Sequence, residues 1–586
     1  MHLLNNSDAN RLDLEERVSY IQSATGKQAD VDGDYNDMKT PGELEGGALV
    51  EGGAVPLVSL EAFALYCQYG AIGVVLNLLP NLSYPIFNVY LNMEGYQLAS
   101  YGVLVNLGWS YKVIFGMLTD CFPIFGFRRK SWMIIGWSIC ALSCGIMAFS
   151  PIGEPFCNRA NEKYSKYCGM PLEKVPQEAI DVNFNLNAPD VGGLYILLSM
   201  LASFGYVTAA CASDAMVVEY AQREPAAIRG RIQTAIYTVR TMTGLIPSIV
   251  IGFGLNSANY SGSFSFSMGP NVPYMICLIP CVLVVLSTIF LMVEVKKPGI
   301  PIGVWWGSFW ELLQKRVMWQ ICAFRFINNV FWTFGTVAGS PITNNWAQVE
   351  NINSAIMDLV SAFIFSGILA SVAKWGLHWN WRVLIAAGSI GIMLIDAPVM
   401  FLTIWNVVRN QWFYTGVTLA DNIPSGVRFI VATYCAVEIA DVGVEGATYG
   451  LVTTMNNLAS PFSSVFYKWV NSYFLVKNND IKKDTTEVRW DCTYVYLISY
   501  GCKLFSLVFL FMLPPQKKEM QELKKKGGKS KLAGYILVVL FVVALGFAMT
   551  SSFMAVYPAT KCYRIAGGDG KFDSKTGACP RPPPRK

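Results

Sequence analysis

Histidine and charged residues are scarce in this chain of 586 residues. Its only histidines are His2 and His378, and 15% of all residues are charged. A soluble chain of this length would expose far more charge, so this composition excludes a soluble multidomain protein. The sequence also lacks a Walker loop, an HExxH pair and a plausible Ser/His/Asp set, which argues against an enzyme. Without a nucleotide-binding motif, any transport would be driven by an ion gradient or by the substrate gradient.

Hydrophobic residues, by contrast, make up 53% of the chain and form long continuous runs. Backbone groups in lipid must pair internally, so runs of roughly 18 residues or more predict transmembrane helices. The runs do not alternate between polar and apolar residues, which argues against a barrel. We predict twelve spans between residues 62 and 513 and a thirteenth at 532–556. The expected fold is an all-α polytopic membrane protein.

The twelve spans divide into two halves of six. Helix 5 contains TVRTMTGLIPS (238–248), which resembles LVTTMNNLASP (451–461) in helix 11 and suggests an internal repeat. Whether the thirteenth helix spans the bilayer or lies against the bundle stays open. The predicted organisation is a disordered cytoplasmic tail (1–55), a first six-helix half (56–294), a cytoplasmic amphipathic linker (295–316), a second six-helix half (317–515), a basic cytoplasmic loop (516–531), the extra transmembrane helix (532–556) and an outer tail (557–586).

Basic residues cluster in alternate loops, which predicts a cytoplasmic N terminus. The predicted outer segments carry Asn259 in a glycosylation triplet, and four cysteines that could form two disulfides in an oxidising compartment. Those cysteines are Cys157, Cys168, Cys562 and Cys579. No metal-site spacing is found, and no cofactor is predicted. The basic clusters fit topology control better than a nucleic-acid surface. We expect a plasma-membrane protein, with an internal membrane as the alternative.

Charged residues interrupt several apolar spans. A charge at the centre of a membrane helix costs about 2.5–3.5 kcal/mol on insertion scales, so such residues face a bundle interior or a wet cavity. Lys112, Asp214 and Arg240 lie at similar depths, about 9–13 Å from the inner helix ends, and could form an ion-pair cluster. The three acids of the predicted tenth span (427–445) follow a spacing of three and then four residues, which places them on one helix face.

The predicted substrate or proton pathway consists of Lys112, Asp214, Arg240, Arg325, Glu438 and Asp441. Glu438 and Asp441 are the better proton candidates, because like charges on one face favour protonation of at least one of them. The competing interpretation is that these charges only lock helices together as buried ion pairs.

The stretch GMLTDCFPIFGFRRKSW (116–132) is predicted to be the cytoplasmic turn between helices 2 and 3. Its basic residues are expected to keep that turn on the cytoplasmic side of the membrane. Gly116 is expected to allow close helix contact. Asp120 is expected to pair with Arg128 or Arg129 and to hold one state of an inner gate. The simpler interpretation is topology alone, which explains the bases but not the acid.

This stretch also carries a resemblance. Gly116 and Asp120 match the G-x-x-x-D loop pattern of the major facilitator superfamily, and the longer form WSYK followed by DCFPIFGFRRKSW resembles the folate–biopterin transporter family. SDAMVVEYA in helix 4 and RGRIQTAIYTVRTMTG entering helix 5 resemble it too. The resemblance covers roughly residues 60–515.

The resemblance implies a 6+6 helix bundle that imports folates, pterins or related small polar metabolites with protons, by alternating access across a lipid bilayer. Two alternatives stay open. The substrate could be another mixed-charge metabolite such as S-adenosylmethionine, or the protein could be a membrane sensor that keeps the fold without transporting.

Overall fold

The computed structural model describes residues 53–225, 231–375, 379–421, 445–573 and 579–580. Within these ranges the chain is almost entirely helical. The helices of the first half are α1 (Leu60–Asn81), α2 (Gly95–Val105), α3 (Lys112–Cys121), α4 (Lys130–Phe149), α5 (Gln177–Asn183), α6 (Ala188–Arg223), α7 (Arg231–Thr243), α8 (Ile246–Gly254) and α9 (Val272–Leu291).

A linker helix and the second half follow. The linker forms α10 (Ile302–Gln314), which ends just before Lys315. The remaining helices are α11 (Arg316–Trp332), α12 (Gly339–Asn345), α13 (Asn351–Trp375), α14 (Trp381–Ile404), α15 (Gln411–Thr418), α16 (Glu445–Asn471), α17 (Asn478–Lys483), α18 (Thr486–Ser506), α19 (Lys517–Lys526) and α20 (Lys531–Val556).

Eight helices in the described ranges are long and apolar enough to cross a membrane. They cover Leu60–Tyr90, Lys130–Phe149, Ala188–Tyr220, Ala235–Gly254, Val272–Leu291, Trp381–Ile404, Thr486–Met512 and Lys531–Val556. Two of the other predicted spans are too short for local reasons. The second is broken into α2 and α3 by a 3₁₀ segment, and α11 has 17 residues. The predicted tenth span, 427–445, lies almost wholly outside the described residues.

Most helix packing lies within each half, although the main cluster of buried apolar residues extends across both halves. In the first half, α4 packs against α6 and α9, and α1 packs against α7 and α9. Gly136 and Gly205 bring α4 and α6 together, since a Cβ at Gly136 would lie 2.5 Å from the Gly205 carbonyl oxygen. In the second half, α11 packs against α16 and α18. The halves meet where α8 packs against α13 and where α2 packs against α16.

Two disulfides mark one end of the bundle. Cys157 pairs with Cys168 in the loop between α4 and α6, and Cys562 pairs with Cys579 beyond α20. We call this end the disulfide face and the opposite end, which contains Asp120, the Asp120 face. Asn259 lies at the disulfide face, where its Oδ1 accepts a hydrogen bond from the Arg159 backbone N–H at 2.9 Å. Glycosylation of Asn259 stays a prediction.

The halves are joined at the disulfide face by hydrogen bonds that cross between them. The Asn478 backbone N–H donates to Glu94 Oε2 at 2.9 Å, and Tyr84 Oη donates to the Val349 carbonyl at 2.6 Å. Asn256 Nδ2 donates to Glu350 Oε2 at 3.1 Å. The described residues therefore form a structure that is closed at this face.

Helix α20 and the tail that follows it contact both halves. Helix α20 packs against α2 of the first half and α16 of the second. In the tail, Lys561 forms an ion pair with Asp190 of the first half. Lys477 of the second half lies 2.9 Å from Asp569. Burial tends to raise the pKa of Asp569, but the hydrogen bond and charge of Lys477 hold it below its ordinary value. The tail thus ties the two halves together from outside.

Loss of the Cys562–Cys579 disulfide is expected to loosen the tail. The two cysteines are 17 residues apart, and a cross-link over a loop of that size stabilises by about 3 kcal/mol. Serine at both positions should make limited trypsin digestion at Lys561 and Arg564 clearly faster in the folded protein. Serine at Cys502, a half-buried free thiol, serves as the control. Equal digestion rates in all three proteins would contradict the expectation.

Candidate functional site

An ion pair lies inside the first half between α3 and α6. Lys112 Nζ is 3.1 Å from Asp214 Oδ2, and Tyr69 Oη donates a 2.6 Å hydrogen bond to Asp214 Oδ1. The Lys112 side chain is 18% exposed and that of Asp214 is 31% exposed. Both charges therefore remain accessible to solvent within the helix bundle, as a wet pathway requires.

The break between α2 and α3 positions this pair. Residues Leu107–Tyr111 form a 3₁₀ segment, a feature that in mid-helix often marks a functional site. Gly108 allows close approach to α6, since a Cβ there would lie 2.9 Å from the Ser203 carbonyl oxygen. Trp109 Nε1 donates to Tyr206 Oη at 3.1 Å, which fixes the indole beside Lys112. The Lys112 ammonium lies 5.3 Å from the centroid of that ring, within cation–π range.

Arg240 joins this site through aromatic rings. Its guanidinium carbon lies 5.9 Å from the centroid of the Tyr237 ring. Tyr237 packs edge-to-face against Tyr69, with 5.6 Å between ring centroids, and Tyr69 bonds to Asp214. Among the described residues, Arg240 makes no ion pair. The expected cluster of three charges is therefore a two-charge pair, with Arg240 connected through two tyrosines.

The second half contributes asparagine side chains to the region around the ion pair. Asn329 Nδ2 in α11 donates to the Arg325 carbonyl at 2.7 Å and to Asn456 Oδ1 of α16 at 2.6 Å. Asn457 Nδ2 reaches the Trp109 carbonyl at 3.5 Å, across the boundary between the halves. Arg325 itself is half-buried in α11. Glu438 and Asp441 lie outside the described residues, so their place in the pathway stays a prediction.

The stretch 116–132, which we call the gating stretch after its predicted role, forms a tight turn with the predicted acid–base contact. Arg129 Nη2 lies 2.6 Å from Asp120 Oδ1. Phe125 and Gly126 have φ values of +55° and +83°, and positive φ at both central residues is typical of type I′ turns. The expectation of close helix contact at Gly116 is wrong, because a Cβ there would meet no atom within 4 Å.

Glu294 holds this turn in place, and sequence reasoning missed it. Its carboxylate accepts hydrogen bonds from the backbone N–H groups of Arg128, Arg129 and Lys130 at 3.0, 3.0 and 2.7 Å. These N–H groups precede or begin α4 and lack intrahelical partners, so a carboxylate stabilises them. Arg128 also donates to the Pro298 carbonyl at 2.7 Å. The turn is thus fastened to the segment that follows α9.

Four buried cysteines converge between α4 and α9. The sulfurs of Cys140, Cys144 and Cys281 lie within 4.8 Å of one another. Cys140 Sγ and Cys281 Sγ are 3.5 Å apart, and Cys277 lies one turn from Cys281. The signal in the sequence is a spacing of four residues in each of two helices. The side chains fill the space between the helices as small apolar groups.

Comparison with known sequences identifies relatives. A profile of the BT1 family matches residues 73–158, which contain the ion-pair lysine and the gating stretch. A folate-biopterin transporter from Synechocystis sp. is 20% identical over 453 residues, covering 72% of this chain and 77% of that protein. Folate transporter 1 from Plasmodium falciparum is 35% identical over 60 residues, which cover 9% of this chain and 12% of that protein.

Comparison with solved structures identifies the fold. A crystal structure of a D-xylose-proton symporter matches with a TM-score of 0.52 and 15% identity, covering 78% of this chain and 98% of that protein. The predicted all-α major facilitator-type fold is confirmed. These comparisons support a membrane transporter rather than an enzyme. The predicted resemblance of this chain to the folate–biopterin transporter family is likewise confirmed.

Proposed function

We propose that this protein is a secondary active transporter that moves a folate, a pterin or a related small polar metabolite by alternating access, together with protons. The observation that carries the proposal is the solvent-accessible Lys112–Asp214 pair framed by Tyr69 and Trp109. A carboxylate suits the aminopyrimidine edge of a pterin, and flanking aromatic faces suit its flat ring. Cations suit the carboxylates of a folate tail.

The proposal includes an orientation. The Asp120 face, with its bases, would be cytoplasmic, and the disulfide face would meet the oxidising exterior. Location in the plasma membrane is part of the same proposal. In this arrangement, the closed disulfide face separates the ion pair from the exterior.

Uptake into proteoliposomes tests the function. Labelled folate, biopterin and S-adenosylmethionine are supplied at several external pH values, with protein-free liposomes and a protonophore as controls. We expect accumulation of folate or biopterin that increases with an inward proton gradient and collapses with the protonophore. A flat pH response would count against proton coupling. Uptake of S-adenosylmethionine alone would overturn the substrate class, and binding without accumulation would indicate a sensor.

A further inference from the structure

Lys468 is a fully buried lysine between the two halves. It lies near the end of α16 with 0% of its surface exposed. Its Nζ donates a 2.9 Å hydrogen bond to Ser100 Oγ of α2, and Ser100 donates its own proton to the Tyr96 carbonyl. Among the described residues, no carboxylate forms an ion pair with Lys468. An ammonium group has three donors, so two of them have no acceptor in the part of the chain that the structure describes.

Asn471 presents a second buried donor on the same helix. It lies three residues beyond Lys468 on the same helix and is 1% exposed. Its Oδ1 accepts from the Val337 backbone N–H at 3.0 Å and from Thr336 Oγ1 at 2.7 Å. A backbone N–H can only donate, so the amide oxygen must face Val337. The Nδ2 atom then points away and has no hydrogen-bond partner among the residues described.

The two residues lie on one helix face, because a spacing of three residues brings side chains together on an α-helix. Most buried polar groups in proteins are hydrogen-bonded, and burying an uncompensated ammonium is costly. Both orphaned groups are donors. An acceptor with more than one oxygen would satisfy them together, and a carboxylate is such a group.

The location of Lys468 links this donor pair to the opening of the disulfide face. Ser100 belongs to the first half and Lys468 to the second, so their contact lies on the surface that must part when the disulfide face opens. Once the halves separate there, both donors become accessible to an incoming substrate.

We propose that Lys468 and Asn471 bind a carboxylate of the substrate when the disulfide face is open. The inference rests on the proposed transport function and refines it. This donor pair selects substrates that carry carboxylates, whereas a neutral pterin gains nothing from it. Lys468 is then a specificity determinant at the entry side, separate from the Lys112–Asp214 pair deeper in the bundle.

The test compares two substrates in one variant. In proteoliposomes, Lys468→Met should raise the KM for folate about tenfold to a hundredfold, because loss of a hydrogen bond between charged groups weakens binding by about that much. The KM for biopterin, which has no carboxylate, should stay unchanged. Lys468→Arg should restore part of the folate uptake. Ser100→Ala is the matched control, since it removes the hydrogen-bond acceptor of Lys468 but keeps the cation, and it should leave the ratio of the two KM values unchanged.

Equal impairment of both substrates in Lys468→Met would mean that the lysine is structural and would overturn the proposal, as would unchanged folate kinetics. A thermal-shift measurement separates this proposal from the transport function. If the wild type takes up neither substrate, the proposed function fails. Folate should still raise the melting temperature of the wild-type protein more than that of Lys468→Met. The absence of such a difference overturns the carboxylate site.

Discussion

Replacing Asp214 by alanine is expected to abolish substrate uptake while the protein still reaches the membrane. The change leaves the Lys112 ammonium without the carboxylate that lies 3.1 Å away and removes the acceptor of the Tyr69 hydroxyl. Truncating one partner of a close charge pair costs about 2–5 kcal/mol when the other stays desolvated. Asp214 is 31% exposed, so the lower part of that range applies. We therefore expect uptake to fall by about two orders of magnitude.

Uptake and surface labelling of the same cells measure this effect. Alanine at Arg240 is expected to give the same loss. Alanine at Glu219 is the control. The Glu219 side chain is 37% exposed and that of its ion-pair partner Lys297 is 49% exposed, so this pair should contribute little to uptake or stability. If the pair only locks the helices, combining Lys112→Ala with Asp214→Ala should restore uptake, since no charge is left unpaired. Wild-type uptake in the single variants would remove Asp214 and Arg240 from the pathway.

Replacing Glu294 by alanine is expected to destabilise the gating stretch and the start of α4. Three backbone N–H groups donate to this one carboxylate. Hydrogen bonds to a charged acceptor contribute about 1.5–3 kcal/mol each. Once the carboxylate is gone, the N–H groups can bind water instead, which offsets part of the loss. We expect a loss of about 3 kcal/mol in the free energy of unfolding. Thermal unfolding of the purified protein in detergent measures it.

Two comparisons make that result specific. Glutamine at Glu294 keeps an accepting oxygen without the charge and should give an intermediate melting temperature. Alanine at Glu311 removes a carboxylate 4.0 Å from Lys529 in an exposed pair, which should leave the melting temperature unchanged. A Glu294→Ala protein as stable as the wild type would show that the α4 N terminus is held by other contacts.

The sequence predicts charges in this protein better than it predicts their surroundings. Counting residues from the helix ends places Lys112 and Asp214 in one layer, and the structure brings them together. Tyr69, Trp109 and Tyr237 could not be singled out, because aromatics make up 13% of the chain and most of them serve packing. Only tertiary contacts decide which rings face the ion pair.

Two other features escape local patterns for physical reasons. Glu294 lies more than 160 residues from the N–H groups it binds, so its role depends on how α9 meets α4. Lys468 resembles an ordinary basic residue near a helix end, which usually extends to the membrane surface. Its burial follows from the contact of α16 with α2, which depends on the assembly of both halves. The break after α2, by contrast, coincides with Asn106 and Gly108, both poor helix formers.

Helix α20 and its tail have a mechanical consequence. They pack beside the contact between α2 and α16 and are fastened to both halves, through Asp190 on one side and Lys477 on the other. A segment attached at both sides limits how far its two attachment points can separate. Helix α20 and its tail therefore restrict opening at the α2–α16 contact until one of the two ion pairs breaks.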